Sequence, residues 1–333
     1  MNKNKLIVFG SNSFAGRSFI KYALNYGYHV TATSRSNEIK KEFRIYRSLT
    51  NNENYKYIKF DINNNSQRKK IFKYINKYKI ENIVDFSSQS MVVESWENPE
   101  HWVNTNCLGK LKLIKSLLNI KHSIKFIRIS TPEVYGNNNR SILEDDKFSP
   151  STPYAVTQAT ADNFFNIYAK FKKLNVVNLK FANFYGPGQQ LYRIIPKTIM
   201  YILLKKKLEI HGNGSSIRSF IFPKDFCSSI IKAIKFGKRG ETYNISSRET
   251  ISIKNLVKKI CKKMNYPFNK LVYFSNDRLA KDQKYLLNSK KSLKYLNWKN
   301  LTSLNDGLDE TIKWYKKNIL KLKFNSFKYN HKK

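Results

Sequence analysis

The chain has 333 residues, 41% of them hydrophobic, which is enough apolar material for one large α/β domain and a smaller second one. Its formal net charge of +39 is extreme. The charge is spread along the whole chain and not gathered in one arm or stripe, so it is interpreted as solvated surface. No specific nucleic-acid partner is predicted, and the positive field would attract anionic substrates.

The cysteines and the N-terminus exclude several further classes. Cys107, Cys227 and Cys261 are odd in number, widely spaced and without a metal-ligand pattern, so neither a disulfide framework nor a zinc site or other metal site is indicated. The first residues run straight into a short apolar strand and not into a secretory signal, and no apolar stretch approaches the length of a membrane span. A cytoplasmic protein with no membrane insertion is predicted.

Short apolar strands alternate with amphipathic helices in the first half of the chain. The predicted strands are 6–9, 29–33, 57–60, 83–86, 124–129 and 176–181, the last of which is expected to close the sheet. Predicted helices at 14–25, 67–78, 102–118 and 154–171 lie among them. This alternation predicts an α/β fold with a doubly wound parallel sheet, that is, a Rossmann domain.

From Gly186 onward the pattern loosens into turns, short strands and helices. We therefore predict a Rossmann domain over 1–185 and a smaller C-terminal α/β domain over 186–320, with some later segments able to return to the first domain. The final stretch, 321–333, is basic and aperiodic and is predicted to be a frayed tail.

A glycine-containing loop follows the first strand and opens a helix. The loop reads Gly10-Ser11-Asn12-Ser13-Phe14-Ala15-Gly16. Glycine permits the tight turn at Gly10 and close helix–strand packing at Gly16, and the free N–H groups of the helix N-terminus suit a pyrophosphate. Ser13 can serve in the middle if the backbone there does not need a positive φ. The loop predicts binding of NAD or NADP through Gly10, Ser11, Asn12, Ser13, Phe14 and Gly16; the alternative is an ordinary strand–helix turn.

The end of the second strand carries Ser34-Arg35-Ser36 where an enzyme that reads a ribose 2′-hydroxyl would place Asp or Glu. An arginine flanked by hydroxyls suits a 2′-phosphate, so NADP is slightly favoured over NAD. The alternative is that Arg35 is a solvated cation or stacks on adenine. Asp61, with Ile62 just past the third strand, is expected beside the adenine.

Two further segments carry a specific resemblance. Ser130-Thr131-Pro132-Glu133-Val134-Tyr135-Gly136 resembles the S-T-x-E-V-Y-G of nucleotide-sugar 4,6-dehydratases and UDP-glucuronate decarboxylases, and Ser151-Thr152-Pro153-Tyr154-Ala155-Val156-Thr157-Gln158 resembles their S-P-Y-x-x-x-K. Further matches lie at 88–90, Asn106, 183–187, 210–214 with 218–220, and 311–315. The chain is identified as similar to the extended short-chain dehydrogenase/reductases of the NAD-dependent epimerase/dehydratase family, nearest to the dTDP-glucose and GDP-mannose types of 4,6-dehydratase.

The resemblance implies an NAD(P)-dependent nucleotide-sugar-modifying enzyme and gives roles to three residues. Tyr154 would take the proton from the sugar 4-hydroxyl while hydride leaves C4, and Thr131 would hydrogen-bond the same oxygen and hold it in line. Glu133 would remove the C5 proton before the 6-hydroxyl departs. These roles predict a 4,6-dehydratase; the alternative for Glu133 is a surface carboxylate.

Two residues depart from the family pattern. Pro132 stands where glucose-type dehydratases carry an acidic proton donor, which favours a 4-epimerase, a 4-oxidoreductase or a decarboxylase as the alternative enzyme. Gln158 replaces a lysine one helical turn from Tyr154. Lysine grips the nicotinamide ribose and lowers the tyrosine pKa by its charge, and glutamine can do only the first. Gln158→Lys is therefore expected to speed the reaction. Gln158 and the high charge together leave open a non-catalytic cofactor-binding or RNA-binding relative.

The resemblance also implies substrate contacts and a partner. Residues at positions that contact the sugar nucleotide in the family are Gln89, Ser90, Asn183, Arg193, Arg218 and Arg278. Arginine forks suit phosphate oxygens, although each arginine could instead form a surface salt bridge. Helices 106–118 and 154–171 carry apolar residues for both a core and a partner, and family members commonly pair such helices, so a homodimer is predicted.

Overall fold

The computed structural model describes residues 5–51, 53–276 and 283–331. Its elements up to residue 181 are β1 (Lys5–Phe9), α1 (Phe14–Asn25), β2 (His29–Ser34), β3 (Tyr55–Lys59), α2 (Asn65–Tyr78), β4 (Asn82–Asp85), α3 (Glu94–Glu97), α4 (Pro99–Trp102), α5 (Lys110–Leu117), β5 (Lys125–Ser130), β6 (Ser141–Ile142), α6 (Pro153–Phe171) and β7 (Val176–Phe181). The later elements are β8 (Asn183–Phe184), α7 (Ile194–Leu203), β9 (Leu208–His211), β10 (Ile217–Ile221), α8 (Pro223–Phe236), β11 (Thr242–Ile245), β12 (Thr250–Ser252), α9 (Ile253–Lys263), α10 (Phe268–Leu271), β13 (Val272–Ser275), β14 (Leu286–Leu287), α11 (Lys290–Leu296) and α12 (Leu304–Leu322).

A parallel sheet with the order β3-β2-β1-β4-β5-β7-β11 organises the described part of the chain. This is the doubly wound order, so the predicted Rossmann fold is confirmed. The strand order reverses between β1 and β4, and ligands of such sheets bind outside the strand ends at this reversal. The loop after β1 and the loop after β4 therefore meet where a dinucleotide is expected.

The prediction that strand 176–181 closes the sheet is wrong. β7 lies between β5 and β11, with Leu179 of β7 in register with Tyr243 of β11. The physical reason is that α8 crosses the sheet face and returns the chain to β7 as a further parallel strand, the usual βαβ connection. β11 thus belongs to the large sheet although it lies beyond residue 185, and α8 packs on one face of that sheet.

Apolar side chains cover both faces of the sheet. One face packs under α1 and α8, with Phe19 and Ile230 fully buried there. The opposite face packs under α2, α5 and α6, with Ile75, Ile114 and Phe165 fully buried. Because both faces are covered, β1 reads as a near-continuous apolar run and not as an alternating one.

The predicted helix over 102–118 is interrupted. α4 and α5 are joined by a π-helix over Val103–Gly109, whose wider turn carries Asn106 inward. The Asn106 amide accepts from the backbone N–H of Gln89 at 2.9 Å and donates to its carbonyl at 3.0 Å and to the Thr157 hydroxyl at 3.1 Å. This insertion ties the loop after β4 to α6.

Elements that follow β7, other than α8, β11 and α11, build a second apolar core. The strands β12, β10 and β8 form one small sheet and β13 pairs with β9. Helices α7, α9 and α12 pack beside them through Ile199, Leu256 and Leu308, all fully buried. No helix within the described ranges is both long and apolar enough to span a bilayer.

The expectation of a frayed tail over 321–333 is wrong for its described residues. α12 continues to Leu322, which is buried in the second core. Beyond it, the His331 ring stacks on Trp102 with 5.1 Å between ring centres and makes a 2.8 Å hydrogen bond with the His101 ring. Aromatic stacking thus docks the end of the chain although its composition is basic.

Candidate active site

The loop between β1 and α1 is held tightly by its own backbone. Gly10 has φ +74°, and a Cβ there would lie 2.5 Å from the carbonyl carbon of Phe86. A Cβ on Gly16 would lie 2.6 Å from the Gly10 carbonyl oxygen. Ser13 has φ −66°, so a serine causes no strain, and its hydroxyl accepts from the Gly16 N–H at 3.0 Å and caps α1. The N-terminus of α1 is open to a phosphate above this turn.

Asn12 connects this loop to the loop after β2. Its side-chain amide donates to the Ser36 hydroxyl at 3.1 Å and to the Asn37 carbonyl at 2.9 Å, and its oxygen accepts from the Ile39 N–H at 3.1 Å. Tyr57 donates to the Ser36 carbonyl at 2.6 Å. The segment that carries Arg35 is therefore anchored from two elements.

A cleft runs along the strand ends at the reversal of the sheet. It is lined by residues from the loops after β1, β2, β3 and β4, and by one from the π-helix, namely Gly10, Ser13, Ser34, Arg35, Phe60, Asp61, Ile62, Phe86, Ser87, Ser88, Gln89 and Thr105. Several strand ends and the π-helix thus contribute to one cleft at the sheet reversal, where a dinucleotide is expected.

Some predicted ligands lie elsewhere. Ser11 is fully buried, and Phe14 is buried against Phe184 with 4.4 Å between ring centres, so neither is among the residues lining the cleft. Gln89 was expected to contact the substrate, but it lines this cleft. Ser90 is exposed and is not among the residues that line the cleft.

Three predicted catalytic side chains meet where β5 ends. The Thr131 hydroxyl donates to Oε2 of Glu133 at 3.1 Å. Tyr154 lies in the first turn of α6, and its backbone N–H donates to the Ser95 hydroxyl at 3.1 Å. The position of that turn is fixed by Thr152, which caps the helix, and by Pro153, which is pre-organised for its first residue.

The ionisation of Tyr154 is opposed by its surroundings. Burial raises the pKa of its phenol well above the usual range, and the Glu133 carboxylate raises it further. A hydrogen bond with Thr131 and the positive charges of Arg193 and Arg128 act in the opposite direction. These groups set the readiness of Tyr154 to accept a proton.

Gln158 lies one turn further along α6 and is buried. Its Oε1 accepts from Nη2 of Arg128 on β5 at 2.9 Å. Arg128 also donates through Nε to Oδ1 of Asp162 at 2.7 Å. Arg128 and Asp162 are not among the predicted site residues, although Asp162 follows Tyr154 and Gln158 at helical spacing and so shares their face.

Residues from the chain beyond β7 also lie close to Glu133. The Tyr285 hydroxyl lies 3.5 Å from Oε1 of Glu133 and 3.3 Å from Oδ1 of Asn183. The Arg218 guanidinium lies 4.3 Å from the centre of the Tyr285 ring. Tyr285 is not among the predicted site residues, because no spacing or motif connects it to Glu133.

Asn183, Arg218 and Glu133 are thus gathered around one tyrosine. Arg193 precedes α7 and is near enough to Tyr154 to act on its pKa. Arg278 lies outside the described residues. The site therefore combines two proton-handling side chains with at least two arginines, next to a cleft shaped for a dinucleotide, which suits acid–base and redox chemistry on an anionic substrate.

Comparison with known proteins places this arrangement. The model of the family described as GDP-mannose 4,6 dehydratase matches residues 7–311. The chain is 31% identical over 243 residues to the trifunctional UDP-glucose 4,6-dehydratase/UDP-4-keto-6-deoxy-D-glucose 3,5-epimerase/UDP-4-keto-L-rhamnose-reductase of Arabidopsis thaliana, over 72% of this chain and 36% of that relative. The chain spans little more than a third of that relative's length.

Two other similar proteins match along their whole length. The chain is 28% identical over 323 residues to the dTDP-D-glucose 4,6-dehydratase of Homo sapiens, over 95% of this chain and 91% of that protein. A crystal structure of dTDP-glucose 4,6-dehydratase from Bacillus anthracis in complex with NAD has a TM-score of 0.85 and 26% identity, over 94% of this chain and 97% of that one.

Proposed function

The chain belongs to the GDP-mannose 4,6 dehydratase family, and we propose on that basis that it is an NAD(P)-dependent enzyme that oxidises C4 of a sugar nucleotide and then eliminates water across C5 and C6. The observation that carries the proposal is the meeting of Thr131, Glu133 and Tyr154 at the end of β5. Each step of this reaction moves a proton, and the contacts among these three side chains support a role for them in moving it.

The cleft fits a nicotinamide dinucleotide. A Cβ atom at position 10 or 16 would collide with the turn that a pyrophosphate must approach, so glycine at both positions keeps this turn compact. A bound nicotinamide supplies hydride acceptance from C4 and hydride return to C6. The residues that would hold its other end are those lining the cleft after β2 and β3, including Ser34, Asp61 and Ile62.

The side chains of the site move the protons of the oxidation. Tyr154, once ionised, takes the proton of the sugar 4-hydroxyl as the hydride leaves C4, and Thr131 holds the same oxygen. The resulting ketone acidifies the C5 hydrogen. Glu133 then takes that proton.

The departing 6-hydroxyl also needs a proton. Pro132 has none to give, and Glu133 has just received one from C5. Glu133 would pass this proton to the 6-hydroxyl, which then leaves as water. The addition of hydride at C6 and of a solvent proton at C5 would complete the reaction. A single carboxylate therefore serves as base and acid in succession.

NADP is proposed as the better ligand of the two dinucleotides. Arg35 lines the cleft between two serines. The nearest carboxylate downstream, Glu38, is engaged with Arg44 at 2.9 Å and with the hydroxyls of Tyr46 and Tyr55 at 2.9 and 2.5 Å. Because that carboxylate is held by other groups, the end of β2 offers a cation and hydroxyls, which suit a 2′-phosphate.

A homodimer is proposed through the outer face of α6 and the π-helix. Val156 and Ile167 on α6 are 48% and 53% exposed, and Leu108 on the π-helix is 48% exposed. Apolar side chains gathered on neighbouring helices suit a four-helix contact between two copies. Light scattering that gives only the 39.2 kDa monomer at micromolar concentration would contradict this.

The experiment for the activity is incubation with a panel of sugar nucleotides, with the product mass followed by mass spectrometry. Loss of about 18 mass units is expected from dehydration. Pro132 favours one second candidate, C4 epimerisation, which leaves the mass unchanged but alters the chromatographic retention of the product. Absence of any C4 oxidation across UDP-, dTDP- and GDP-sugars would overturn the proposed function.

A further inference from the structure

A buried cluster of charges lies on the face of α6 that carries Tyr154 and Gln158. Arg128 on β5 and Asp162 on α6 are both fully buried and are joined by a 2.7 Å contact between Nε and Oδ1. Lys180 on β7 lies 3.2 Å from Oδ2 of the same aspartate. The Ser130 hydroxyl donates to that oxygen at 2.7 Å. One carboxylate is therefore shared by two cations.

Arg128 and Lys180 share the Asp162 carboxylate, at 2.7 Å and 3.2 Å respectively. Lys180 has a second carboxylate near it, since the charge of Glu144 also acts against the burial that lowers its pKa. Removing a cation from water is costly unless it is fully compensated, and Nη1 of Arg128 has no hydrogen-bond partner among the described residues. A buried, incompletely paired arginine at the active site needs another explanation than stability of the fold.

The remaining contact of Arg128 is with Gln158. Nη2 donates to Oε1 of Gln158 at 2.9 Å. A guanidinium has donors only, so the amide oxygen must face Arg128 and the NH₂ group must face away from it. Arg128 thus fixes Gln158 as a donor at the position where relatives carry a donor-only lysine.

We propose that Arg128 is a positioning residue that divides the work of the family lysine with Gln158: Gln158 donates to the nicotinamide ribose, and Arg128 orients its amide and supplies the positive charge near Tyr154. The inference rests on the proposed function. The site keeps a positive charge although position 158 is a glutamine, because Arg128 on β5 takes the place of a lysine on α6.

The charged surroundings agree with this division. The charges that act on the Tyr154 phenol are Glu133, Arg193 and Arg128, and the latter two favour the tyrosinate. Around Arg128 itself the charged groups are Asp162, Lys180 and Lys110, and Lys110 is paired with Asp85 at 2.5 Å. Lys180 thus has two carboxylates near it, whereas Arg128 shares Asp162 and keeps one donor, Nη1, without a hydrogen-bond partner among the described residues.

The proposal reverses the effect that the sequence predicts for Gln158→Lys. The new ammonium would lie against the Arg128 guanidinium in a buried site, and two like charges there repel. Gln158→Lys alone should lower the melting temperature by several degrees and give no faster reaction. In the double variant with Arg128→Gln, Gln158→Lys should restore the melting temperature and the rate of reaction, since one cation again lies near Tyr154.

The test is a double-mutant cycle of Arg128→Gln and Gln158→Lys, with Lys125→Gln on the same strand as the matched control. Melting temperature and calorimetric affinity for NADPH and NADH are measured beside the pH profile of C4 oxidation. Arg128→Gln should weaken dinucleotide binding about tenfold and move the pH profile upward by about one unit, which is tenfold in rate at pH 7. Lys125→Gln should do neither.

A second variant covers the case in which Arg128→Gln does not fold. Arg128→Lys keeps the charge beside Asp162 but not the planar donor pair, so the pH profile should stay near the parent's while dinucleotide binding weakens. An unchanged pH profile and affinity in Arg128→Gln, or a stable and faster Gln158→Lys single variant, would overturn the proposal. If no sugar nucleotide is oxidised by the parent, the proposed function fails, while the coupling in melting temperature and dinucleotide affinity still tests the Arg128–Gln158 pair.

Discussion

The hydroxyl of Tyr285 lies 3.5 Å from Oε1 of Glu133, and the same hydroxyl lies 3.3 Å from Asn183. A residue of the last third of the chain is therefore in contact with the carboxylate expected to handle the C5 proton. The chain beyond β7 thereby contributes a side chain directly beside Glu133.

Tyr285→Phe should slow the elimination and spare the cofactor. A hydrogen bond to a charged group contributes roughly 1.5–3 kcal/mol, so a loss of between about tenfold and a hundredfold in kcat is expected. NADPH affinity should not change. Tyr135→Phe is the control, because the Tyr135 hydroxyl faces the Glu144 carbonyl at 3.2 Å and not Glu133. Equal effects of the two substitutions would show that Tyr285 acts only through packing.

C4 oxidation should accelerate with pH. Burial and Glu133 raise the pKa of Tyr154, so the phenol is protonated at neutral pH and the base form grows with each pH unit below that pKa. The rate of oxidation in a single turnover should therefore rise close to tenfold per unit between pH 6 and 9. Tyr154→Phe should abolish the reaction while leaving dinucleotide affinity intact. A flat profile in the parent would show that the proton leaves by another route.

Gly16→Ala should damage the cofactor site by sterics alone. The added methyl would lie 2.6 Å from the Gly10 carbonyl oxygen, so the turn must open where a pyrophosphate approaches. Dinucleotide affinity is expected to fall at least tenfold. Gly27→Ala is the control, because it has a positive φ of +84° but nothing within 4 Å of the new carbon. It should cost about 1–2 kcal/mol of stability from backbone strain and leave the affinity unchanged.

Arg35→Gln should reduce the difference between the affinities for NADPH and NADH. If Arg35 pairs with a 2′-phosphate, its loss weakens NADPH binding by about tenfold or more and changes NADH binding little. Calorimetry on cofactor-free protein measures both. Arg140→Gln, an exposed arginine paired with Asp146 far from the cleft, serves as the control. Equal binding of NADH and NADPH by the parent would remove the proposed preference.

Docking of the C-terminal residues should weaken in mild acid. The pKa of His331 is lowered from its ordinary 6.5 by burial and by His101, so the docked state favours the neutral ring. The free energy of docking is then fully present above about pH 6.5 and is lost as the pH falls below it. NMR of the His331 ring between pH 5 and 8, in the parent and in His101→Gln, measures the shift. An ordinary titration of His331 in the parent would contradict the docked state.

Local sequence patterns predicted a large part of the fold and the position of the main catalytic candidates. The alternation of apolar strands and helices is a short-range signal, and the spacing of Tyr154 and Gln158 places both on one helix face whatever packs against it. Thr131 and Glu133 follow the end of a buried strand, where doubly wound sheets place their sites.

What the sequence pattern did not predict depends on contacts between distant elements. Arg128 stands between two isoleucines in β5, and nothing near it indicates that its side chain meets Gln158 and Asp162 on α6. Tyr285 is 152 residues from Glu133 along the chain and meets it through a small cluster that also holds Val134 and Ile142. His331 lies in a basic stretch whose composition indicated disorder, and its stacking partner Trp102 is recognisable only in the folded chain.

The return of β11 to the large sheet makes the two halves of the molecule inseparable. A fragment cut at residue 185 would leave β7 as an edge with unpaired N–H and C=O groups, since its partner Thr242–Ile245 would be missing. It would also uncover Val177 and Phe181, which pack in the core beneath α8. Such a fragment should aggregate and not fold as a free nucleotide-binding module, so recombination between relatives is expected to succeed only when β7, α8 and β11 are exchanged together.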